Sequence, residues 1–182
     1  MSELTYRAAD AKAQAGAYTA ALVAALDARE PLDVLRATAA ALRTGIDGMT
    51  PEQRATPEAP GKWSVLQLLQ HLADSEVVGA YRFRLVLSQE RPPLIGYDQD
   101  HWTSRLHVGD TDAEEVLSRF TLLRASTLRV LESLSTAELQ RVGLHEERGE
   151  ESIARMMDLY AGHDVVHLKQ LARIRAAVVG PA

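Results

Sequence analysis

The chain contains no cysteine. That excludes thiolate metal sites, thioredoxin-like redox chemistry and a cysteine nucleophile together. Any thiol taking part in a reaction would have to arrive from outside. No apolar run approaches the ~20 residues needed to cross a membrane as a helix. There is no strand-like alternation of useful length, no internal repeat and no low-complexity tract. A phosphate-cradling glycine loop is missing. So are the Glu-x-x-His signature of di-iron bundles and the His-Glu-x-x-His helix of zinc proteases. Basic excess is lacking too: the net charge is −5, against the basic face of a general nucleic-acid binder. The alanine-rich run AGAYTAALVAAL follows Glu3, Arg7, Asp10 and Lys12 in mixed sign and precedes no cleavage site. It reads as a helix, and the expected location is the cytoplasm.

What remains is an ordinary globular balance, 46% hydrophobic and 25% charged over 182 residues. That length fits one domain, 1–182, with residues 1–30 as an N-terminal helical extension. The extension, helical from Tyr6 to Ala28, stops at Glu30-Pro31, because proline disfavours helix in the residue before it. Pro31 then opens a helix carrying Leu35, Leu42 and Ile46 on one side. Residues 50–61 hold three prolines and read as a loop. Ser64-x-x-Gln67 is a capping box at the head of a long helix that ERPP ends. Residues 88–110 form a long loop, a common place for lids and binding segments. Thr111-x-x-Glu114 opens a further helix through Val116, Phe120, Leu123 and Leu134. Ser135-x-x-Glu138 marks a short turn. The last helix starts near residues 150–152 and runs to about Val179. Four main helices of this length suggest an antiparallel, all-α bundle.

YAGHDVVHLKQL, near the end of the chain, places His163 and His167 four residues apart. On a helix they project side by side, roughly 40° apart. Ile153, Met156, Tyr160, Leu171, Ile174 and Val178 share their stripe, while Arg155, Asp158, Lys169 and Arg173 lie opposite. The stripe therefore faces the core, and packing alone would favour leucine at both positions. A buried imidazole costs on the order of 1–3 kcal/mol per unpaired nitrogen. One metal ion would satisfy both rings. A third ligand must come from another helix, and His71 is the best candidate. Its stripe, Leu68, Ser75, Val78, Arg82 and Val86, is apolar at the ends and polar in the middle. Three histidines and an open position are the layout of a catalytic site. Against this stands the reading in which the histidines are hydrogen-bonded core residues.

The blocks WSVLQLLQHLADSE, RFRLVLSQERPPLIGYDQDHW, RVGLHEERGEES and YAGHDVVHLKQL resemble the DinB/YfiT-like superfamily, in order, from about Pro31 to Ile174. The resemblance implies a four-helix bundle with up-down-down-up connectivity, short extra helices and a long loop between its second and third main helices. It implies a divalent metal, zinc or nickel, held by His71, His163 and His167. Some relatives are small-thiol transferases, which implies a low-molecular-weight thiol cosubstrate; hydrolysis is the other chemistry. It also implies a homodimer; a small-molecule substrate is expected, and the charge balance and the lack of a long apolar run give no reason to expect a nucleic-acid or membrane partner. The alternative is non-enzymatic: a metal-stabilised dimeric helical module with a stress-related or ligand-binding role.

Five further residues are candidates around the centre. Asp74, one turn beyond His71, is placed to orient a ligand or bind water. Arg82 suits an anionic substrate group, although a salt bridge to Asp74 or to the long loop is the plainer role. Tyr160 could donate to an oxyanion or simply fill core. Asp164 either orients a ligand or forms an interhelical ion pair. His145, among charged neighbours, is expected on a surface loop rather than at the metal mouth. Asp98 and Asp100 lack the glycine and terminal acid of a calcium loop; they are expected to tie the loop to Arg82 or Arg84, and Trp102 to plug it onto the bundle.

Overall fold

Capping boxes and proline positions set most element boundaries. The structure, a computed structural model, describes residues 11–106 and 112–179, with side chains from residue 14 onward. In chain order the elements are α1 (Ala11–Leu26), α2 (Pro31–Ile46), α3 (Pro51–Ala55), α4 (Val65–Ser88), β1 (Pro93–Leu94), α5 (Gln99–Arg105), α6 (Ala113–Leu131), α7 (Thr136–Leu139), β2 (Val142–His145), β3 (Gly149–Ser152) and α8 (Ile153–Val179). Pro31 sits in the first turn of α2, where a missing N–H removes no helical bond. The Ser64–Gln67 and Ser135–Glu138 boxes close in both directions. The N-cap of α6 is Asp112, which accepts from the Glu114 N–H; Thr111 lies outside the described residues, as do residues 1–10.

Three features differ from the sequence reading. Residues 50–61 are not all loop: Thr50 and Gln53 form another capping box and start α3, with Pro51 in its first turn. The long loop holds α5, with Asp98 as its N-cap accepting from the His101 N–H. And a small sheet exists, ordered β1-β2-β3, in which β1 runs parallel to β2 and β2 antiparallel to β3. Its strands are too short to show alternation.

Side-chain pairs fix the helix directions. Thr38 meets Asp164 and Gly45 meets Leu171, so α2 and α8 are parallel. Glu76–Arg124 and Arg84–Ser126 make α4 and α6 parallel. Arg36–Glu132 with Arg43–Glu114 makes α2 antiparallel to α6. His71–His163 with Gly79–Tyr160 makes α4 antiparallel to α8. The bundle is therefore up-down-down-up. A parallel α4–α6 pair needs a connection that returns along α4, about 36 Å at 1.5 Å per residue. That is why residues 89–112 form a long link.

The core divides into two apolar clusters. One contains Leu42, Leu69, Phe120, Leu171 and Ile174; the other contains Leu35, Phe83, Val86, Met156 and Val165. Between them lies a polar layer from all four main helices: Thr38, His71, Glu76, Arg124, Asp164 and His167, each buried.

Outside the bundle, α1 packs along α8. The contact depends on Gly162, because a Cβ there would lie 2.0 Å from the Leu22 carbonyl oxygen. Backbone cannot yield as a side-chain tip can. Gly162→Val is therefore expected to displace α1 while leaving the four main helices folded. Hydrogen exchange would show lost protection over residues 14–26 and little change in α4 and α6; unchanged protection in α1 would refute the close contact.

Candidate metal centre

Three rings converge at the middle of the bundle. His71 comes from α4; His163 and His167 come from adjacent turns of α8. All three are buried. His71 Nε2 lies 2.9 Å from His163 Nε2, which lies 3.1 Å from His167 Nε2. Each offers one nitrogen, and these three lie within 4.8 Å of one another. Nitrogens bound tetrahedrally to one zinc-sized ion would be about 3.3–3.4 Å apart. The spacing fits a metal triad with small adjustment.

Hydrogen bonding among the rings fits less well. His167 Nδ1–H donates to the Gln170 Oε1 at 2.9 Å, so His167 Nε2 carries a lone pair. His163 Nε2 then faces two nitrogens and can present only one proton or one lone pair. One proton cannot make full bonds to both neighbours. A shared cation would satisfy all three lone pairs, with Gln170 as the outer partner that fixes the orientation of the His167 ring. Trp63 supplies the other restraint: its buried ring lies 4.9 Å from that of His71 and stacks on His167 at 6.4 Å.

Burial also sets the protonation state. Desolvation pushes His71 and His163 well below the ordinary histidine range. Desolvation is the largest cause for His167 as well, lowering it to about 4, while Gln170 and Asp164 act in the opposite sense. Neutral rings are the form a metal needs. The sign for stability follows. A folded-state pKa below the unfolded value of about 6.5 means the unfolded chain binds more protons as pH falls. The contribution is fully present above about pH 6.5 and shrinks below it. In chelator-containing buffer, His167 alone is expected to remove about 2 kcal/mol between pH 8 and pH 5. Urea midpoints across that range would show it; a flat profile would contradict neutral burial.

Beside the rings, Arg124 occupies the centre of an ion cluster. It donates to Glu76 Oε2 at 2.8 Å, to Asp164 Oδ2 at 2.6 Å and to the Leu35 carbonyl at 3.0 Å. Thr38 also donates to Asp164, at 2.8 Å. Asp164 is thus an interhelical ion-pair partner and forms no hydrogen bond to the imidazoles. Asp74 is buried on α4 but is not one of the three grouped ligands.

A cavity of about 480 Å³ opens onto the cluster through His163, with Ser75, Arg82, Tyr160 and His145 in its wall. Tyr160 packs on Phe83 at 5.6 Å and faces the cavity, so it fills core and lines the site together. Arg82 donates to the Ile95 carbonyl of the long loop rather than to Asp74, Asp98 or Asp100. Arg84 caps toward Ala80 and Ser126. Trp102, half-buried, rests on Tyr97 at 4.7 Å. His145 corrects the surface-loop expectation: it is 3% exposed. Its charged neighbours occupy the β2–β3 turn, whereas the strand turns Gly143 and His145 inward. Trp63, Gln170 and Arg124 were missed in the sequence.

A bundle with this connectivity and a buried three-imidazole centre defines a narrow class of helical metal-site proteins. The family model of the DinB superfamily matches residues 34–171, and the chain belongs to that superfamily. A protein of Oceanobacillus iheyensis, provisionally named a metal-dependent hydrolase, is 29% identical over 133 residues, covering 73% of this chain and 77% of its own. YfiT of Bacillus subtilis, provisionally named likewise, is 27% identical over 146 residues, covering 78% and 82%. The solved structure of YfiT, described as an unusual four-helix bundle topology, matches with a TM-score of 0.71 at 27% identity, over 79% of this chain and 84% of that one.

Proposed function

We propose that His71, His163 and His167 bind one divalent metal, zinc or nickel, and that the protein is a metal-dependent enzyme acting on a small molecule in the adjoining cavity. One observation carries this reading: His163 belongs both to the imidazole cluster and to the cavity wall. A metal held there has a face open to a ligand, which a purely structural site does not need. When bound, such an ion supplies Lewis acidity and lowers the pKa of a coordinated water or thiol. The chain's own residues do the rest. Gln170 and Trp63 hold the rings in place, burial keeps them neutral, and the cavity wall of α4, α8 and β2 positions the substrate.

Two chemistries fit the centre: hydrolysis, and transfer of a low-molecular-weight thiol to an electrophile. The names of the relatives favour hydrolysis, and the absence of cysteine means a thiol would come from solution. Metal-loaded protein should be assayed with activated esters and, separately, with small thiols and an aryl halide. Activity in one assay, lost in His71→Ala, is the expected result. A 1:1 metal complex silent in both, with a large fall in melting temperature on chelation, would instead identify a clamp between α4 and α8.

A further inference from the structure

At the wall of the same cavity, away from the imidazole cluster, two hydrogen-bond donors meet with no carboxylate between them. Arg82 is 6% exposed, and among the described residues no carboxylate pairs with it. One Nη2 hydrogen goes to the Ile95 carbonyl, while the buried Nε has no partner. His145 Nε2 lies 3.4 Å from Arg82 Nη2. The other ring nitrogen decides what that contact is. The Glu147 backbone N–H donates to His145 Nδ1 at 3.2 Å, so Nδ1 carries the lone pair and the proton of the neutral ring sits on Nε2. Burial and the nearby cations of Arg148 and Arg82 favour that neutral ring, lowering His145 to about 3. The guanidinium and the Nε2–H are thus two donors side by side, and neither can satisfy the other. The Tyr160 hydroxyl also hydrogen-bonds to the guanidinium, as a neutral partner that brings no negative charge.

A buried cation with an unpartnered N–H and no carboxylate bound to it, next to a second convergent donor, is an arrangement that binds an anion. We propose that Arg82 and His145 bind the carboxylate of a small-molecule ligand. The rest of the lining selects a single negative charge. Arg148 is committed to Glu151 through two hydrogen bonds, of 2.6 and 2.9 Å. Asp98, Asp100 and Glu146 also line the cavity. Those acids would repel a doubly charged phosphate more than a carboxylate. On α4, Arg82 is eleven residues beyond His71, about 16 Å along the axis, and arginine leans back toward the helix N-terminus. The anionic group would therefore sit at the end of the molecule remote from the metal. Calling that molecule a substrate rests on the proposed function; its binding does not.

The probe is benzoate, titrated into wild-type protein in chloride buffer with the arginine Nε–H groups followed by NMR. Saturation at one site with a shift of the Arg82 Nε–H is expected. Affinity should fall about tenfold or more in Arg82→Gln and persist in wild-type protein stripped of metal with 1,10-phenanthroline, a chelator that carries no carboxylate. Loss of benzoate binding on removal of the metal would show the carboxylate on the metal and overturn the site. So would an Arg82 signal that does not move in the wild type, a reading that holds even where Arg82→Gln fails to fold. Inorganic phosphate competing equally well would overturn the choice of a carboxylate. A wild-type protein that binds no metal yet takes benzoate at Arg82 would sink the metal reading alone.

Discussion

Arg124→Met is expected to destabilise the protein by about 3–5 kcal/mol, the range for removing one partner of a buried ion cluster. Glu76 and Asp164 would be left facing each other's charge across the bundle with no cation between them. The loss has several parts. Arg124 bridges α6 to α4 through Glu76, to α8 through Asp164 and to α2 through the Leu35 carbonyl. Its guanidinium also lies over the Phe120 ring, 4.7 Å from the centroid. Methionine replaces much of the volume but none of the donors. Desolvation already raises the Glu76 carboxyl above the usual carboxylate range, so in the variant part of the penalty is met by taking up a proton. The defect should therefore be larger at pH 8 than at pH 6. A triple variant that also replaces Glu76 and Asp164 with leucine should recover much of the loss, since an apolar substitute for a whole buried cluster is often neutral. Urea unfolding of the metal-free proteins measures all of this. A loss under about 1 kcal/mol in the single variant would mean that the cluster does not tie the bundle together.

Trp63→Ala is expected to cost about 3–5 kcal/mol, as deletion of a buried large aromatic does. It should also weaken metal binding by about 10- to 100-fold, the usual effect of losing a group that orients ligands. The side chain is 6% exposed, just before the Ser64 cap, and its ring covers both His71 and His167. Removing it opens a void against the two rings and frees them to turn. Trp63→Phe should restore part of the stability and most of the affinity. If Trp63→Ala lost stability while holding metal as tightly as the wild type, the ring would be packing material alone.

Much of this was legible in the sequence where one rule acts locally. Ser64-x-x-Gln67 and Ser135-x-x-Glu138 need only their own turn to close, and both close. The inward stripe through His163 and His167, and the polar-centred stripe of His71, needed only the 3.6-residue repeat. Their meeting across α4 and α8 depended on connectivity, which the family resemblance supplied. Other features depended on partners distant in sequence. Thr50-x-x-Gln53 had the same capping signal, but three prolines outweighed it. His145 was judged by its charged neighbours, which occupy the turn, whereas pairing of β2 with β1 and β3 buries the ring. Arg124 had a visible signal: it falls on the stripe of Val116, Phe120 and Thr127, where a lone arginine must find buried acids. Gln170, one turn after His167, was likewise readable as its hydrogen-bond partner. Trp63 was not, because its ring reaches the imidazoles across the start of α4.

The most direct test is metal content, measured by mass spectrometry on protein purified without a histidine tag or chelator, beside His163→Ala. The expected result is about one zinc, nickel or other divalent ion per chain in the wild type and a loss of that ion in the variant, with the bundle still folded. No ion in either protein, even after zinc or nickel is added, would contradict the metal centre and leave three imidazoles buried in the core.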